Sequence, residues 1–252
     1  MTSLISNPRG GYAFLPGIEP YSSGVIADDG HEIIHVTLAE PMPWYAGLLN
    51  VRKYLESQSR ECFALCGVEL RCPEPHSIGG FVDFNKDYRA LLNEWDIPVD
   101  GENPVARTNV APVVNPPAET MLHAFSYTVP AKLDYRTFVV AGGGELPTRK
   151  LERDRIVRVG ETSPDAMLEK ADCVIKIMRH RLQHLDADEL RLSAIDVYTA
   201  HPLLQPLSDT LIPGIPAAAQ IGIQWYLTRP PVAEIEFEMD MRGVQREIVV
   251  NL

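Results

Sequence analysis

The chain has 252 residues, 45% of them hydrophobic and 23% charged, with 34 acidic against 23 basic side chains and a formal net charge of −11. That balance argues against a nucleic-acid surface, which needs clustered Lys and Arg. No apolar run reaches the roughly 18–20 residues of a membrane span, so no membrane partner is expected. The opening residues 1–9 lack the basic start and apolar core of a signal peptide, and the expected location is the cytoplasm. The four cysteines, Cys62, Cys66, Cys72 and Cys173, contain no Cys-x-x-Cys pair. No His-x-x-x-His zinc pair stands out either. Reduced structural thiols are the expectation, with no metal site.

Taken in order, residues 1–19 are rich in Gly and Pro and read as an irregular arm. Residues 20–27 form a short extended segment, closed by the turn Asp28-Asp29-Gly30. Residues 32–38 are β-branched and apolar, hence a strand, which Pro41 and Pro43 should break. Residues 44–59 carry Leu48, Leu49, Val51, Tyr54 and Leu55 near helical spacing. Residues 61–72 read as a strand with Cys62, Cys66 and Cys72 on one face. Phe84, Tyr88, Leu91, Leu92 and Trp95 predict an amphipathic helix over residues 81–95. Two strands follow, at residues 104–112 and 118–125.

The order then repeats. Residues 137–141 are a strand, and Gly142-Gly143-Gly144 a loop without a phosphate-loop pattern. Ser163 and Pro164 start a long helix. Residues 190–197 are a strand and 202–211 a shorter helix. The closing strands fall at residues 215–223 and 233–238. A repeat of about 115 residues marks a duplicated domain, and not a solenoid. The predicted units are residues 1–131 and 132–252. Arg107 sits just inside a strand, where a guanidinium can grip a carboxylate with two hydrogen bonds. The matching position in the second unit is Ala218.

These residues resemble the Rid family, also called the YjgF or L-PSP endoribonuclease-like group. The likeness rests on short motifs in order. They are Ile18 to Val25, Phe84-Asn85 with Tyr88, Ala106-Arg107-Thr108 and Leu122 to Phe125, then Ala141-Gly142-Gly143 and Val232 to Phe237. The resemblance implies an α+β fold of two tandem Rid-like, chorismate-mutase-like domains, each a mixed sheet backed by two helices. It also implies a homotrimer, with sites in clefts between domains.

By the same resemblance Arg107, Asn85 and Tyr21 bind a substrate carboxylate, and Glu234 or His123 orients or activates water. Bland alternatives stand beside each: a surface ion pair for Arg107, a helix-surface position for Asn85, a packed aromatic for Tyr21. For Glu234 the alternative is a solvated sheet face, and for His123 a satisfied core histidine. The implied function is a hydrolase or deaminase on a carboxylate-bearing imine or enamine, in nitrogen or aromatic catabolism. No metal or organic cofactor is implied. The alternatives are a non-catalytic binding protein, or a lyase or ring-opening hydrolase on the same scaffold.

Overall fold

The computed structural model describes residues 3–148 and 150–252. The chain opens with β1 (Ile5–Asn7), β2 (Tyr12–Leu15), β3 (Gly24–Ala27), the long β4 (His31–Pro43) and helix α1 (Trp44–Ser57). Strand β5 (Leu65–Arg71), helix α2 (Ile78–Glu94), β6 (Ala106–Pro112) and β7 (Met121–Pro130) follow. Then come β8 (Phe138–Gly144), helix α3 (Pro164–Leu185) and β9 (Ala194–Tyr198). Beyond a broken helical run within residues 204–221 lie β10 (Gln224–Tyr226), β11 (Thr228–Arg229), β12 (Glu238–Gly243) and β13 (Arg246–Val250).

The strands form two mixed sheets, ordered β11-β6-β5-β7-β4-β13 and β1-β2-β3-β8-β12-β9-β10. This is an α+β architecture consistent with a chorismate-mutase-like fold. Leu48, Val51 and Leu55 of α1 and Tyr88, Leu91 and Leu92 of α2 pack on Val36, Leu70, Leu122 and Phe125 of the first sheet. Helix α3 covers the second sheet, with Val174, Met178 and Leu182 against Val140, Val197 and Met239. Burying one such large apolar side chain contributes about 1.5–3 kcal/mol. Between the sheets, Tyr12, Phe14 and Val25 of one meet Ile33, Cys66 and Ala106 of the other.

The helix starts follow local chemistry. Ser77 and Ser163 accept hydrogen bonds from the Gly80 and Ala166 amides, capping α2 and α3, and Pro164 opens α3. Gly47 lets α1 lie close on β7, since a Cβ there would come within 2.9 Å of Leu122.

Several expectations need correction. The N-terminal arm is not irregular: β1 and β2 pair with register Ile5 to Phe14, and Tyr12 and Phe14 are fully buried. Pro41 does not break β4; a register shift between Thr37 and Met42 absorbs it, and the strand runs on to end at Pro43. Cys62 lies in a 3₁₀ turn ahead of β5, so the three cysteines do not share a strand; all four are free. The strand predicted at residues 190–197 starts only at Ala194, after a 3₁₀ turn. The glycines 142–144 are strand, not loop. Residues 218–221 are a helical turn, and residues 230–237 are a loop; the last strands are β12 and β13. Pro230 and Pro231 offer no amide hydrogens to a ladder at that point, which delays the strand.

The sheets also exchange strands across the predicted junction. β3 pairs with β8, bringing residues 5–27 into the sheet of the second half, while β13 returns to pair in parallel with β4. Each half therefore carries part of the other's sheet. Fragments 1–131 and 132–252 are expected to show no cooperative unfolding when produced separately and to regain it when co-expressed, which circular dichroism melts will check.

Candidate active site

Arg107 is the second residue of β6, opposite Val68 on β5. It is only 2% exposed. Its guanidinium carbon lies 4.6 Å from the ring centre of Tyr88 and 4.7 Å from that of Tyr21, with Phe84 and Phe81 at 5.6 and 5.7 Å. Phe81, Phe84, Asn85 and Tyr88 all come from α2, where steps of three and four residues place them on one face. Asn85 Oδ1 accepts a hydrogen bond from Arg107 Nη2 at 2.7 Å. Tyr21 is brought in because the Ser22 amide donates to the Val105 carbonyl, 3.0 Å away, at the mouth of β6.

Arg107 Nε and Nη1 are buried and have no partner among the described residues. Burial lowers the Arg107 pKa, although Tyr88, Tyr21 and Glu238 favour its charge. An ion removed from water costs several kcal/mol unless paired. Ring faces recover about 0.5–2 kcal/mol of that. Unpaired N–H groups on a buried, ring-caged guanidinium are what a carboxylate oxygen satisfies.

Beside the cage lies a cavity of about 100 Å³, walled by Tyr21, Phe81, Gly142, Gly143, Arg181 and Glu238, among others. Glu238 is the first residue of β12 and 5% exposed. Burial pushes its carboxyl up to about 8; Glu145 adds to this, while Arg181 and Arg107 oppose it. At neutral pH it is mainly the acid form, able to give a proton and then accept one.

The glycines of β8 make this possible. A Cβ on Gly142 would collide with Glu238 Oε1, one on Gly143 would reach Arg181 Nη1 at 3.0 Å, and one on Gly144 would meet Ile235 Cγ2 at 2.5 Å. Glycine inside a strand marks such close approach. Arg181 of α3 crosses over this strip and donates from Nη1 to the Ala141 and Gly142 carbonyls at 2.7 and 3.1 Å. The loop before Glu238 is tied down by Glu145. Its carboxylate accepts from the Glu236 and Phe237 amides at 2.7 and 3.0 Å and pairs with the fully buried Lys170 at 2.9 Å.

The structure thus brings Arg107, Asn85 and Tyr21 together, and it places His123 among other charged groups. Glu234 is in the loop, between the wall residues Val232 and Ile235, and is not itself in the cavity wall. Its Oε2 is buried and unpartnered. His123 belongs to a polar layer between the sheets. Burial, then Arg71, pushes its pKa down to about 4, and its other charged neighbours are Glu69, His35 and Arg242. In that layer Arg71 pairs with Glu69 at 3.3 Å and Arg242 with Asp196 at 2.6 Å. Thr108 and Tyr198 donate to Asp240 at 2.5 and 3.0 Å.

Glu69, Asp196 and Asp240 bring one carboxylate oxygen each within 4.8 Å of one another, the arrangement a cation would need. Arg71 and Arg242 already supply positive charge there. His180 and His184 do have the His-x-x-x-His spacing, against expectation, with their rings stacked 3.9 Å apart. No third ligand joins them among the described residues.

Glu238 and Arg181 were missed. Glu238 ends the alternating run Glu234-Ile-Glu-Phe-Glu238, and only the late strand start after Pro230-Pro231 selects it. Three consecutive strand glycines were the available signal for large groups crossing β8.

A family model described as 2-aminomuconate deaminase CnbZ matches residues 4–248. The chain belongs to that family. The CnbZ-family chain is 37% identical over 244 residues to a 2-amino-5-chloromuconate deaminase of Comamonas testosteroni, covering 96% of each. Among solved structures it is similar in fold to a chorismatase, with a TM-score of 0.51 at 10% identity, over 96% of this chain and 79% of that one. Both findings fit the Rid-like fold that the sequence resembles.

A pH prediction follows from Glu238. Its folded pKa, about 8, lies above the ordinary value of 4.5. Between those values the native state holds a proton that the unfolded state releases, so this carboxyl lowers stability as pH rises through the window. Glu238→Gln removes that loss. The melting-temperature difference, variant minus wild type, is expected to grow from pH 5 to pH 9, as scanning calorimetry will show.

Proposed function

We propose that the protein is a hydrolytic deaminase acting on 2-aminomuconate or a close enamine dicarboxylate of aromatic catabolism. Family membership and the curated relative support a deaminase acting on a carboxylate-bearing metabolite in this kind of catabolism. The observation that carries the reading is the caged Arg107, with two buried N–H groups unpaired, beside the protonated Glu238.

In this reading Arg107 takes the carboxylate next to the amino-bearing carbon, Asn85 holds the guanidinium in plane, and Tyr21 and Tyr88 exclude water from it. Glu238 as the acid gives its proton to the enamine carbon, and the C=C–NH₂ unit becomes a C=N group. The resulting carboxylate then accepts a proton from water as the oxygen attacks that carbon. The tetrahedral adduct expels ammonia, and a C=O bond replaces the C=N bond. The sum is enamine plus water giving a 2-oxo acid plus ammonia. In this reading Glu238 takes the proton-transfer role in place of Glu234 and of His123, which lies in the inter-sheet layer.

Ammonia release from freshly generated 2-aminomuconate tests this. Glu238→Gln is expected to lower kcat by about 10²–10⁴-fold with little change in KM. Arg107→Ala is expected to lower kcat/KM by at least about tenfold, with Arg107→Lys between it and the wild type, because an ammonium cannot make the paired contact. Carboxylate binding without ammonia release from any 2-amino-dienoate would instead mark a binding protein, and product without ammonia a lyase.

The proposal extends to assembly: two tandem Rid-like units, residues 1–131 and 132–252, interlocked by their exchanged strands and forming a cytoplasmic homotrimer. Light scattering should then give three times the 28.1 kDa chain mass.

A further inference from the structure

We infer that Arg181 is a specificity residue that holds the second carboxylate of a dicarboxylate substrate. The inference rests on the deaminase reading for the identity of that substrate, but not for the presence of the site.

Arg181 is the cation in the described wall of the cavity that also contains Tyr21 and Glu238. Its position is built. It projects from α3, whose Met178 and Leu182 are buried against the second sheet. One end of its guanidinium is held on the Ala141 and Gly142 carbonyls. Gly143 supplies the room beneath it, since a Cβ there would meet Nη1 at 3.0 Å and Cζ at 3.2 Å. A guanidinium anchored on backbone carbonyls is oriented before any ligand arrives, which reduces the entropy lost on binding.

The surroundings need a second cation for a dianion. Arg107 can neutralise one carboxylate only, and Asn85 already occupies one of its nitrogens. The second carboxylate would otherwise enter a cavity whose own acid is Glu238, within a chain of net charge −11. Like charges brought together in a low-dielectric site repel strongly. Arg181 stabilises the charged form of Glu238, and it faces the same space from the opposite element. A groove along α3, walled by Leu15, Lys176 and His180 and by Glu169 and Asp172, which pair with Arg158 and Lys176, shares Ser23, Leu146, Thr148 and Arg181 with the cavity. Arg181 thus stands where that open groove meets the enclosed cavity, a place a long dicarboxylate spans and a short monocarboxylate does not.

The alternative role for Arg181 is to set the charge of Glu238 alone, and it predicts a different result. The test is calorimetric titration of the wild type, Arg181→Gln and Arg181→Lys with trans,trans-muconate and with sorbate, the same diene with a single carboxylate. The wild type is expected to prefer muconate at least tenfold. Arg181→Gln is expected to lose that preference with sorbate affinity changed less than twofold, and Arg181→Lys to keep part of it. A preference that survives in Arg181→Gln overturns the assignment, as does a wild type without one. Equal weakening of both ligands also overturns it, in favour of a role through Glu238 or through folding, and thermal melts separate those two. Ammonia release is measured in parallel. If the wild type releases none while the muconate preference is lost in Arg181→Gln, the deaminase reading fails and the dicarboxylate site stands.

Discussion

The buried guanidinium of Arg107 constrains the architecture around it. A permanent cation sits 2% exposed, and the described residues supply one oxygen to it, from Asn85. Such a charge is tolerated only because aromatic faces surround it and because an anion can complete it. The helical spacing of α2 supplies three of those faces and the amide at once. The N-terminal segment supplies the fourth, and that requires the backbone tie between Ser22 and Val105. The cage is therefore assembled from three separate parts of the chain, and each is held by a backbone feature rather than by the ligand.

A second set of constraints acts on the opposite side of the cavity. Glu238 is kept protonated by burial, and burial requires that β8 present no side chains where β12 and α3 reach across it. The three glycines meet that need. Glu145 meets another, because the loop after Pro230 and Pro231 leaves the Glu236 and Phe237 amides without ladder partners. One carboxylate satisfies both amides and is in turn neutralised by Lys170. A buried carboxylate–ammonium pair is no simple source of stability. Here its consequence is positional: it decides where β12 begins and so which glutamate faces the cavity.

The two halves of the chain are built differently at the stretches aligned by sequence. In the first, a basic residue sits at the start of β6. In the second, the matching stretch is a helical turn at Ala218–Ile221, and the sheet is completed by strands from the N-terminus. The exchange of β1–β3 and β13 between the sheets joins the halves into one structure. It also brings Tyr21, from the N-terminal segment, against Arg107 of the first sheet, while Glu238 arrives from the second.

What the sequence determined by itself is local. The apolar periodicity of α1, α2 and α3, the serine cap at Ser163 and the turn at Asp28–Gly30 depend on neighbours within a few residues, so they are legible in a single chain. The grouping of Arg107, Asn85 and Tyr21 was legible for another reason: short motifs resembling a known family occur in the right order. The tertiary structure alone decided the rest. Whether the Gly142–Gly144 segment becomes a strand depends on β12, far along the chain, and no local pattern encodes that pairing. Which glutamate is buried depends on the register of β12, and a shift of one residue in a strand exchanges its two faces. The acidity of Glu238 and the place of Arg181 follow from burial and from groups on other elements, quantities that exist only once the chain has closed on itself.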